Sequence, residues 1–365
     1  MKSLLIAYHD IDTEARSQET CELLKKYGEV TYVSYMKYQD DTIKGVFNRN
    51  NKKSLPLFLI NAVRTIWNER PDLIVLHDDY PMVLVPYIKL VAKKAKIIYD
   101  SSELYLFSCE GKHAKTLKTK IASLFLLCVE KNIHKVDLVM AANKERAQIM
   151  KTHHNLAKIP IVFDNIHKIE GDYNKAECDK KFATVTNDKE NVLYAGGIAK
   201  ERMTYLLAEQ FGTLANENVQ LLIVGKNEHG GEEKLQSLLT EKHITNVKYL
   251  GFVSREELRY LIEKSSITIS TFAMDTPNNI NCASGKVYEG LFLGKPLLAG
   301  PNPPLKRLCE EYNVGVSTLH FADGCKKILS NYAYYQENVQ SYIKKLDYAH
   351  KLDRLKEEID SALFS

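Results

Sequence analysis

Short apolar segments rich in β-branched residues alternate with longer amphipathic segments, and this alternation runs through the chain twice. Strands buried on both faces read as continuous apolar runs, and the amphipathic segments between them predict helices that cover a parallel sheet. The predicted strands are residues 4–8, 30–34, 73–76, 97–99, 138–141 and 161–163, then 192–195, 221–224, 247–250, 267–270 and 297–299. The pattern therefore predicts an α/β protein with two doubly wound, Rossmann-like domains.

A polar stretch without periodicity, residues 166–190, separates the two series of strands. We expect a first domain at 1–165, a linker at 166–190, a second domain at 191–345, and a C-terminal helix at 346–365 that packs back on the first domain. Predicted helices include residues 14–27, 54–68, 112–134 and 286–293. Ligands of open α/β sheets bind at the carboxyl ends of the strands, so two domains facing a central cleft would present functional residues just after strands.

Composition excludes several classes of protein. The seven cysteines never form a C-x-x-C pair, which argues against a zinc ribbon or disulfide framework and fits a reducing cytosol. The first residues hold no signal-peptide core, and the longest apolar run, residues 124–129, is far short of the ~20 residues that span a bilayer. The eleven histidines show no H-E-x-x-H or similar spacing, so the sequence predicts no metal site. These observations predict a cytoplasmic protein.

Positive charge is concentrated in the first half of the chain. Residues 1–170 hold 26 Lys and Arg against 20 Asp and Glu, whereas the remaining residues hold 24 against 26. This excess is too dilute for a nucleic-acid binder and favours an anionic surface or substrate. The predicted helix at 112–134 has Lys112, Lys115, Lys118 and Lys120 before an apolar part, so it is either a helix lying on an anionic membrane or a core helix with a basic end.

Two segments of the second half have the chemistry of a nucleotide diphosphate site. Ser284-Gly285 precedes a short predicted helix that carries Lys286 and Glu289 on one face, where amide groups and the lysine could meet phosphate and the carboxylate could accept ribose hydroxyls. The alternative is an exposed i,i+3 ion pair. Residues 192–203 combine a strand, a turn at Gly196-Gly197 and a basic helix start with Lys200 and Arg202, which also suits a diphosphate.

In this order the segments resemble the donor half of the retaining GT-B glycosyltransferases of family 4, and the resemblance covers most of the chain. Residues 284–296 follow the family pattern Pro/Ser-x-Lys-x-x-Glu-x-x-x-x-Gly-Lys-Pro, and the phrases at 221–226 and 249–253 are also similar. The resemblance implies a GT-B fold with Glu289 on the nucleotide ribose. The implied donor-binding residues are Gly196, Gly197, Arg202, Lys226, Val253, Ser284, Gly285, Lys286 and Glu289.

Polar residues also follow the predicted strands of the first half. His77, Asp78 and Asp79 end one strand, and Asp100-Ser101-Ser102-Glu103 ends the next, where relatives read Tyr-Asp-Ser-His-Glu-Leu. The resemblance implies Glu103, Ser102, Asp100 and His77 as catalytic residues, and Arg16, Asp78 and Asp79 as acceptor-side residues. Three positions depart from the family, since Ser102 replaces a His, Gly197 replaces an Arg, and Asn281 replaces the first Glu of E-x7-E.

The resemblance implies a retaining hexosyltransferase that uses an NDP-sugar, with a UDP-sugar favoured, and needs no metal for donor binding. Saccharide or lipid-linked intermediates of surface polysaccharide or glycan synthesis are the expected acceptors, at the inner face of the cell membrane. Two alternatives remain open. One is a non-catalytic nucleotide-sugar-binding partner subunit, and the other is a nucleotide-sugar 2-epimerase on the same fold, which would need additional carboxylates and histidines in the cleft.

Overall fold

A computed structural model describes residues 1–104, 130–186, 189–227, 230–282 and 284–364. The chain forms two compact units. The first contains Met1–Asn165 and Tyr348–Ser365, and the second contains Ile166–Asp347. Most of the predicted helix at 112–134, including its lysines, lies outside the described residues.

The first unit is built on a seven-stranded parallel sheet in the order β3-β2-β1-β4-β5-β6-β7. Its strands are β1 (Lys2–Ala7), β2 (Glu29–Ser34), β3 (Lys44–Phe47), β4 (Leu73–His77), β5 (Lys96–Ser101), β6 (Leu138–Ala141) and β7 (Ile161–Val162). Its described helices are α1 (Ala15–Lys25), α2 (Leu55–Glu69), α3 (Val85–Val91), α4 (Lys144–His153) and, from the end of the chain, α14 (Lys351–Leu363).

Alternate residues of the central strands belong to two hydrophobic cores, one on each face of the sheet, because successive side chains of a strand point to opposite faces. In β1, Leu4 and Ile6 pack on one face of the sheet, while Leu5 and Ala7 pack on the other. The second of these cores also contains Leu355, Ile359 and Leu363, which repeat every four residues along α14. The C-terminal helix is therefore part of the first unit.

The second unit has a six-stranded parallel sheet in the order β10-β9-β8-β11-β12-β13. Its strands are β8 (Glu190–Ala195), β9 (Val219–Val224), β10 (Val247–Tyr249), β11 (Ile267–Ser270), β12 (Leu297–Ala299) and β13 (Gly315–Ser317). Its described helices are α5 (Lys175–Phe182), α6 (Thr204–Gly212), α7 (Gly231–Glu241), α8 (Arg255–Glu263), α9 (Pro277–Ile280), α10 (Lys286–Phe292), α11 (Pro303–Tyr312), α12 (Phe321–Ser330) and α13 (Tyr332–Leu346).

The prediction of two doubly wound parallel sheets is confirmed, and the differences lie at the edges. The edge strands β3 and β13 were missed because partly exposed edge strands lack a continuous apolar run. Helix α5 lies within the segment predicted as a linker, and the residues of this helix that reach the core of the second unit are Cys178 and Phe182. Two apolar residues in an eight-residue helix give too weak a period to be seen in the sequence.

Each sheet has one point at which its strand order reverses. The connections that follow the two strands at this point run to opposite faces of the sheet, and the crevice between them has room for a ligand. In the first unit this point lies between β1 and β4, and in the second between β8 and β11. Register places Ala7, His77 and Asp100 side by side at the carboxyl edge of the first sheet. Within the described ranges, no helix has the length and apolar character that crossing a bilayer requires.

Candidate active site

The loop after β8 forms one side of the candidate donor site in the second unit. Gly196 donates its N–H to the carbonyl of Val224 at 2.9 Å, so the ends of β8 and β9 lie together. Gly225 has φ of +148°, and a Cβ atom there would lie 1.9 Å from the carbonyl oxygen of Gly196. Only glycine permits this close approach of two backbones.

Arg202 connects this loop with the end of β11, across the reversal point of the sheet. Its guanidinium lies 4.4 Å from the ring centroid of Phe272, just beyond β11, and the neighbouring Glu201 carbonyl accepts from Ala273 N–H at 2.9 Å. A guanidinium held over an aromatic face keeps its charge and its N–H groups. Arg202 thus places a positive charge against Phe272, close to the end of β11 at the reversal point of the sheet.

Glu289 lies in the first turn of α10, and its carboxylate is buried beside a lysine and a histidine. The residue is 2% exposed. Lys286 Nζ lies 3.0 Å from each carboxylate oxygen, and His167 Nε2 lies 3.6 Å from Oε1. Burial alone would raise the pKa of Glu289, yet His167 and Lys286 together hold it below its usual value. The group is therefore an ionised acceptor, and the alternative of a solvent-exposed ion pair is wrong for the glutamate.

His167 is part of this arrangement although sequence reasoning did not single it out. Its ring lies against Gly285, where a Cβ atom would be 1.9 Å from Cε1 of the imidazole. Gly285 has φ of −64°, so glycine is required here for space and not for backbone conformation. No sequence signal marks His167, because it precedes Glu289 by more than a hundred residues.

The other predicted donor residues lie after β9 and β10. Lys226 Nζ is 5.6 Å from the ring centroid of Phe252, an aromatic side chain that is 69% exposed. Val253 is buried in the core of the second unit, so it could meet a nucleotide only through its backbone. Gly251 has φ of +74°, and its carbonyl accepts from the N–H of Gly225 at 2.9 Å. Ser284 directly precedes Gly285 at the start of α10.

In the first unit, Asp100 and Arg16 form a buried ion pair. Arg16 Nε lies 3.0 and 3.1 Å from the two oxygens of Asp100, and Arg16 also donates to the Phe163 carbonyl and to Asn165 Oδ1. Burial opposes ionisation of Asp100, but Arg16 and His77 lower its pKa to about 2. Both side chains of the pair are almost inaccessible to solvent. The roles of Arg16 as an acceptor-side residue and of Asp100 as a catalytic residue stay predictions. In the structure the two side chains are buried against each other, and Asp100 also lies 3.1 Å from His77 Nδ1.

His77 lies at the carboxyl end of β4 among carboxylates. Its Nδ1 is 3.1 Å from Asp100 Oδ2, and its Nε2 is 3.6 Å from Asp78 Oδ2 and 3.8 Å from Glu14 Oε2. Burial by itself lowers the pKa of His77, but Asp78, Asp100 and Glu14 outweigh it and raise the pKa to about 9. The ring of His9 meets that of His77 edge-on, with centroids 4.8 Å apart.

Ser102 and Glu103 follow β5 and are held in place by the side chains of Asp78 and Arg146. Asp78, in the left-handed region with φ of 64°, accepts from Ser102 N at 3.1 Å and from Ser102 Oγ at 2.6 Å. Arg146 donates to the Ser102 carbonyl and lies 2.8 Å from Glu103 Oε2. The Glu103 side chain remains 44% exposed, so it can reach a substrate. Sequence analysis missed Arg146, a residue on α4 recognisable only by its contacts.

Asp79, predicted as an acceptor-side residue, is buried in the structure. Its Oδ1 accepts from the Tyr99 hydroxyl at 3.1 Å. Burial, together with the charges of Glu130 and Asp78, raises the pKa of Asp79 to about 8. The physical reason is that the chain turns at Asp78 and directs Asp79 towards the interior, where the residue is 1% exposed. Asp78 and Asp79 are adjacent in sequence but differ in environment.

Solved structures with the same fold cover essentially the whole chain. HepE from Anabaena in complex with UDP-glucose matches with a TM-score of 0.77 at 15% identity over all of both chains. Sucrose-phosphate synthase from Thermosynechococcus elongatus matches with 0.73 at 15% identity over 99% of this chain and all of that one. The lipopolysaccharide outer core galactosyltransferase WaaB matches with 0.68 at 15% identity over both full chains. The fold is therefore of the GT-B type.

A family model matches most of the second unit. Residues 189–331 match the family model described as glycosyl transferases group 1, and this segment contains Arg202, Lys286 and Glu289. The match confirms the resemblance to the group 1 glycosyltransferases that the sequence indicated. No curated protein sequence is significantly similar to the chain.

Proposed function

We propose that the chain is a retaining glycosyltransferase that moves a sugar from an NDP-sugar, with a UDP-sugar favoured, to a hydroxyl of a saccharide or lipid-linked acceptor in surface polysaccharide or glycan synthesis. The observation that carries the proposal is Glu289, an ionised carboxylate buried beside Lys286 within the family segment. A carboxylate accepts from both hydroxyls of a ribose without donating. HepE, of the same fold, is described in complex with UDP-glucose, which supports a uridine nucleotide.

The leaving diphosphate needs positive charge where the strands of the second sheet end. Arg202 is stacked on Phe272 beside the glycine turn, and the half-exposed Lys286 can swing from Glu289 to a phosphate oxygen. Preorganised cations of this kind stabilise developing negative charge in a site with little water. In the first unit, the exposed carboxylate of Glu103 orients the acceptor, and Ser102 contributes its hydroxyl nearby. Gly196, Gly197 and the Val253 backbone complete the donor site.

A basic and apolar face on α2 supports contact with an anionic membrane. Leu57, Ile60 and Trp67 lie on one side of the helix and are 41%, 46% and 54% exposed. The sequence around α2 is rich in cations, and Glu69 is the single acidic residue between positions 44 and 70. These cations are Lys44, Arg49, Lys52, Lys53, Arg64 and Arg70. Apolar side chains framed by Lys and Arg are typical of helices that lie on anionic bilayers.

The single tryptophan of the chain makes this contact measurable. Vesicles containing phosphatidylglycerol should shift Trp67 emission to shorter wavelengths at low salt, and Ile60→Glu should abolish the shift. Leu319→Glu, a matched change at an exposed leucine of the second unit, should have no effect. If emission is the same with anionic vesicles, neutral vesicles and no vesicles, the proposed membrane contact is wrong.

The donor is tested by a thermal-shift screen of UDP, GDP, ADP and CMP with their sugars, followed by assay of nucleotide release with saccharide acceptors. Stabilisation by one nucleotide and sugar transfer from its sugar conjugate support the proposal. Glu289→Gln should reduce both the shift and the transfer. If no nucleotide stabilises the chain, or if Glu289→Gln binds as well as wild type, the donor site lies elsewhere.

A nucleotide-sugar 2-epimerase remains a second candidate because the first unit gathers the groups that such a reaction needs. His77 is oriented by Asp100, while His9, Glu14 and Asp78 lie within a few ångströms. A protonated histidine held by a carboxylate can act as a general acid, and a neighbouring carboxylate can act as the base that removes a proton from carbon. Epimer formation from an NDP-sugar with incorporation of deuterium from solvent would favour this function, whereas transfer without exchange favours the glycosyltransferase.

A further inference from the structure

The reversal point of the first sheet contains a second cluster of reactive side chains, separate from the donor residues of the second unit. One nitrogen of each imidazole of His9 and His77 and a carboxylate oxygen of Glu14 all lie within 4.8 Å of one another. His9 follows β1, His77 ends β4, and Glu14 caps α1. Three separate segments thus place nitrogen and oxygen donors around one point.

His77 has a buried nitrogen without a hydrogen-bond partner among the described residues. Its ring is completely buried, and Nε2 is inaccessible to solvent. A buried polar atom without a partner costs about 1–3 kcal/mol, so each such atom in a folded protein needs an explanation. The nearest charged atoms are Asp78 Oδ2 at 3.6 Å and Glu14 Oε2 at 3.8 Å.

These separations are too long for hydrogen bonds but suit ligands of a shared ion. Two ligand atoms at ~2.1 Å from a tetrahedral Zn²⁺ lie about 3.4 Å apart. Nε2 of His77 is within a few tenths of an ångström of that separation from both carboxylates. Small adjustments of the side chains would bring the ligand atoms to coordination distance of one ion. Glu14 is the most accessible of the three carboxylates around His77, since its side chain is 35% exposed.

Both imidazoles are held at one nitrogen, which leaves the other for an ion. Asp100 accepts from Nδ1 of His77 and is itself anchored by Arg16. Nε2 of His9 is 2.6 Å from Ser17 Oγ. Histidines that bind metals nearly always donate their second N–H to a carboxylate, carbonyl or similar acceptor, which fixes the tautomer and the ring orientation.

The local charge also favours a cation. Three carboxylates, those of Glu14, Asp78 and Asp100, lie around His77, and the guanidinium of Arg16 pairs with one of them, Asp100. Imidazole nitrogen combined with carboxylate oxygen suits Zn²⁺ and neighbouring transition metals better than Mg²⁺ or Ca²⁺, which prefer oxygen alone.

We infer that His9, His77 and Glu14, with Asp78 adjacent, form a binding site for a divalent transition-metal ion of the zinc type. Three protein ligands leave a coordination position that water or a substrate oxygen could occupy. The site departs from the metal-free prediction of the sequence, because its ligands are separated by 5 and 63 residues and match no local spacing.

The test is titration of untagged, chelator-treated protein with Co²⁺, followed by absorption spectroscopy and calorimetry. We expect one equivalent of Co²⁺ to bind with the intense visible bands of four- or five-coordinate cobalt, and Zn²⁺ to displace it. His9→Ala and Glu14→Gln should each weaken Co²⁺ binding at least tenfold. Both positions are less buried than His77, and Glu14→Gln keeps an oxygen to accept from the N–H of Ser17 at the start of α1.

His154→Ala is the matched control, since His154 also faces a carboxylate, Glu130, at 3.2 Å and lies against the ring of His153. Among the described residues these three side chains do not form a cluster of metal-ligand atoms. The His154→Ala variant should bind Co²⁺ as wild type does. Equal affinity of wild type and the His9→Ala/Glu14→Gln double variant, or less than half an equivalent bound, overturns the inference. Glu289→Gln should leave Co²⁺ affinity unchanged, so failure of the metal site and failure of the donor site are distinguishable.

Discussion

Glu289 offers the most direct test of the donor site, and the structure indicates which substitution to use. The sequence left open an exposed ion pair of Glu289 with Lys286, and an exposed helix position tolerates alanine. In the structure Glu289 is buried against Lys286 and His167, so alanine would also leave a cavity. Glu289→Gln keeps the shape and one acceptor oxygen while removing the charge, and it is therefore the informative change.

The size of the effect follows from the hydrogen bonds that the carboxylate can make. Each hydrogen bond to a charged group contributes roughly 1.5–3 kcal/mol, and two ribose hydroxyls are available. Glutamine retains one neutral acceptor, so we expect a loss of about 1.5–3 kcal/mol, which corresponds to roughly 10- to 150-fold in affinity. Folding should change by less than about 1 kcal/mol, because the Lys286 side chain is 46% exposed and can be solvated when its partner is neutral.

Calorimetry with the nucleotide selected by the thermal-shift screen measures this loss. The decisive ligand is its 2′,3′-dideoxyribose analogue. Wild type should bind the analogue at least tenfold more weakly than the intact nucleotide, whereas Glu289→Gln should bind the two with nearly equal affinity. Glu209→Gln, which removes a surface carboxylate paired with Lys242 at 2.8 Å in the same unit, should behave as wild type.

One result would refute the reasoning. If Glu289→Gln binds more weakly but still prefers the intact ribose by the wild-type factor, the carboxylate acts on another part of the nucleotide or only supports Lys286. A cooperative unfolding transition close to that of wild type shows that the variant is folded, so that such a result cannot be ascribed to loss of structure.

Three further predictions concern packing and charge. Gly285→Ala should weaken nucleotide binding by displacing the ring of His167, and adding His167→Ala should cost less than the sum of the two single losses, whereas strict additivity in calorimetry would contradict the contact. Ile359→Ala should destabilise the first unit by about 2–5 kcal/mol in urea denaturation, while Glu358→Ala, at the exposed neighbour, should have little effect. Burial raises the pKa of Asp79 to about 8, so the folded state retains a proton that the unfolded chain releases near pH 4, and stability falls as the pH rises from about 4 to 8. Asp79→Asn should therefore be more stable than wild type by about 1–3 kcal/mol at pH 8 and nearly equal at pH 4, and a difference independent of pH would show that Asp79 does not titrate in this way.

The sequence alone determined the architecture of both sheets, because the information is local. A strand covered on both faces needs a continuous apolar run, and a helix that covers it needs a 3.6-residue period. Strands β6, β11 and β12 have the bounds that the sequence predicted. Motifs of the donor half were recognisable for the same reason, since Lys286 and Glu289 lie in one turn of one helix and Gly196, Gly197 and Arg202 in one loop.

Only the tertiary structure decided which polar residues are buried together. Arg16 and Asp100 are 84 positions apart, and their ion pair removes both from the surface where the sequence had placed them. The contacts of His77 with Glu14 and of Glu289 with His167 likewise join residues that are far apart in the sequence. The spacing of side chains along one helix or strand indicates which of its faces is polar. The partner of each polar group depends on the order of the strands in the sheet, and that order exists only in the folded chain.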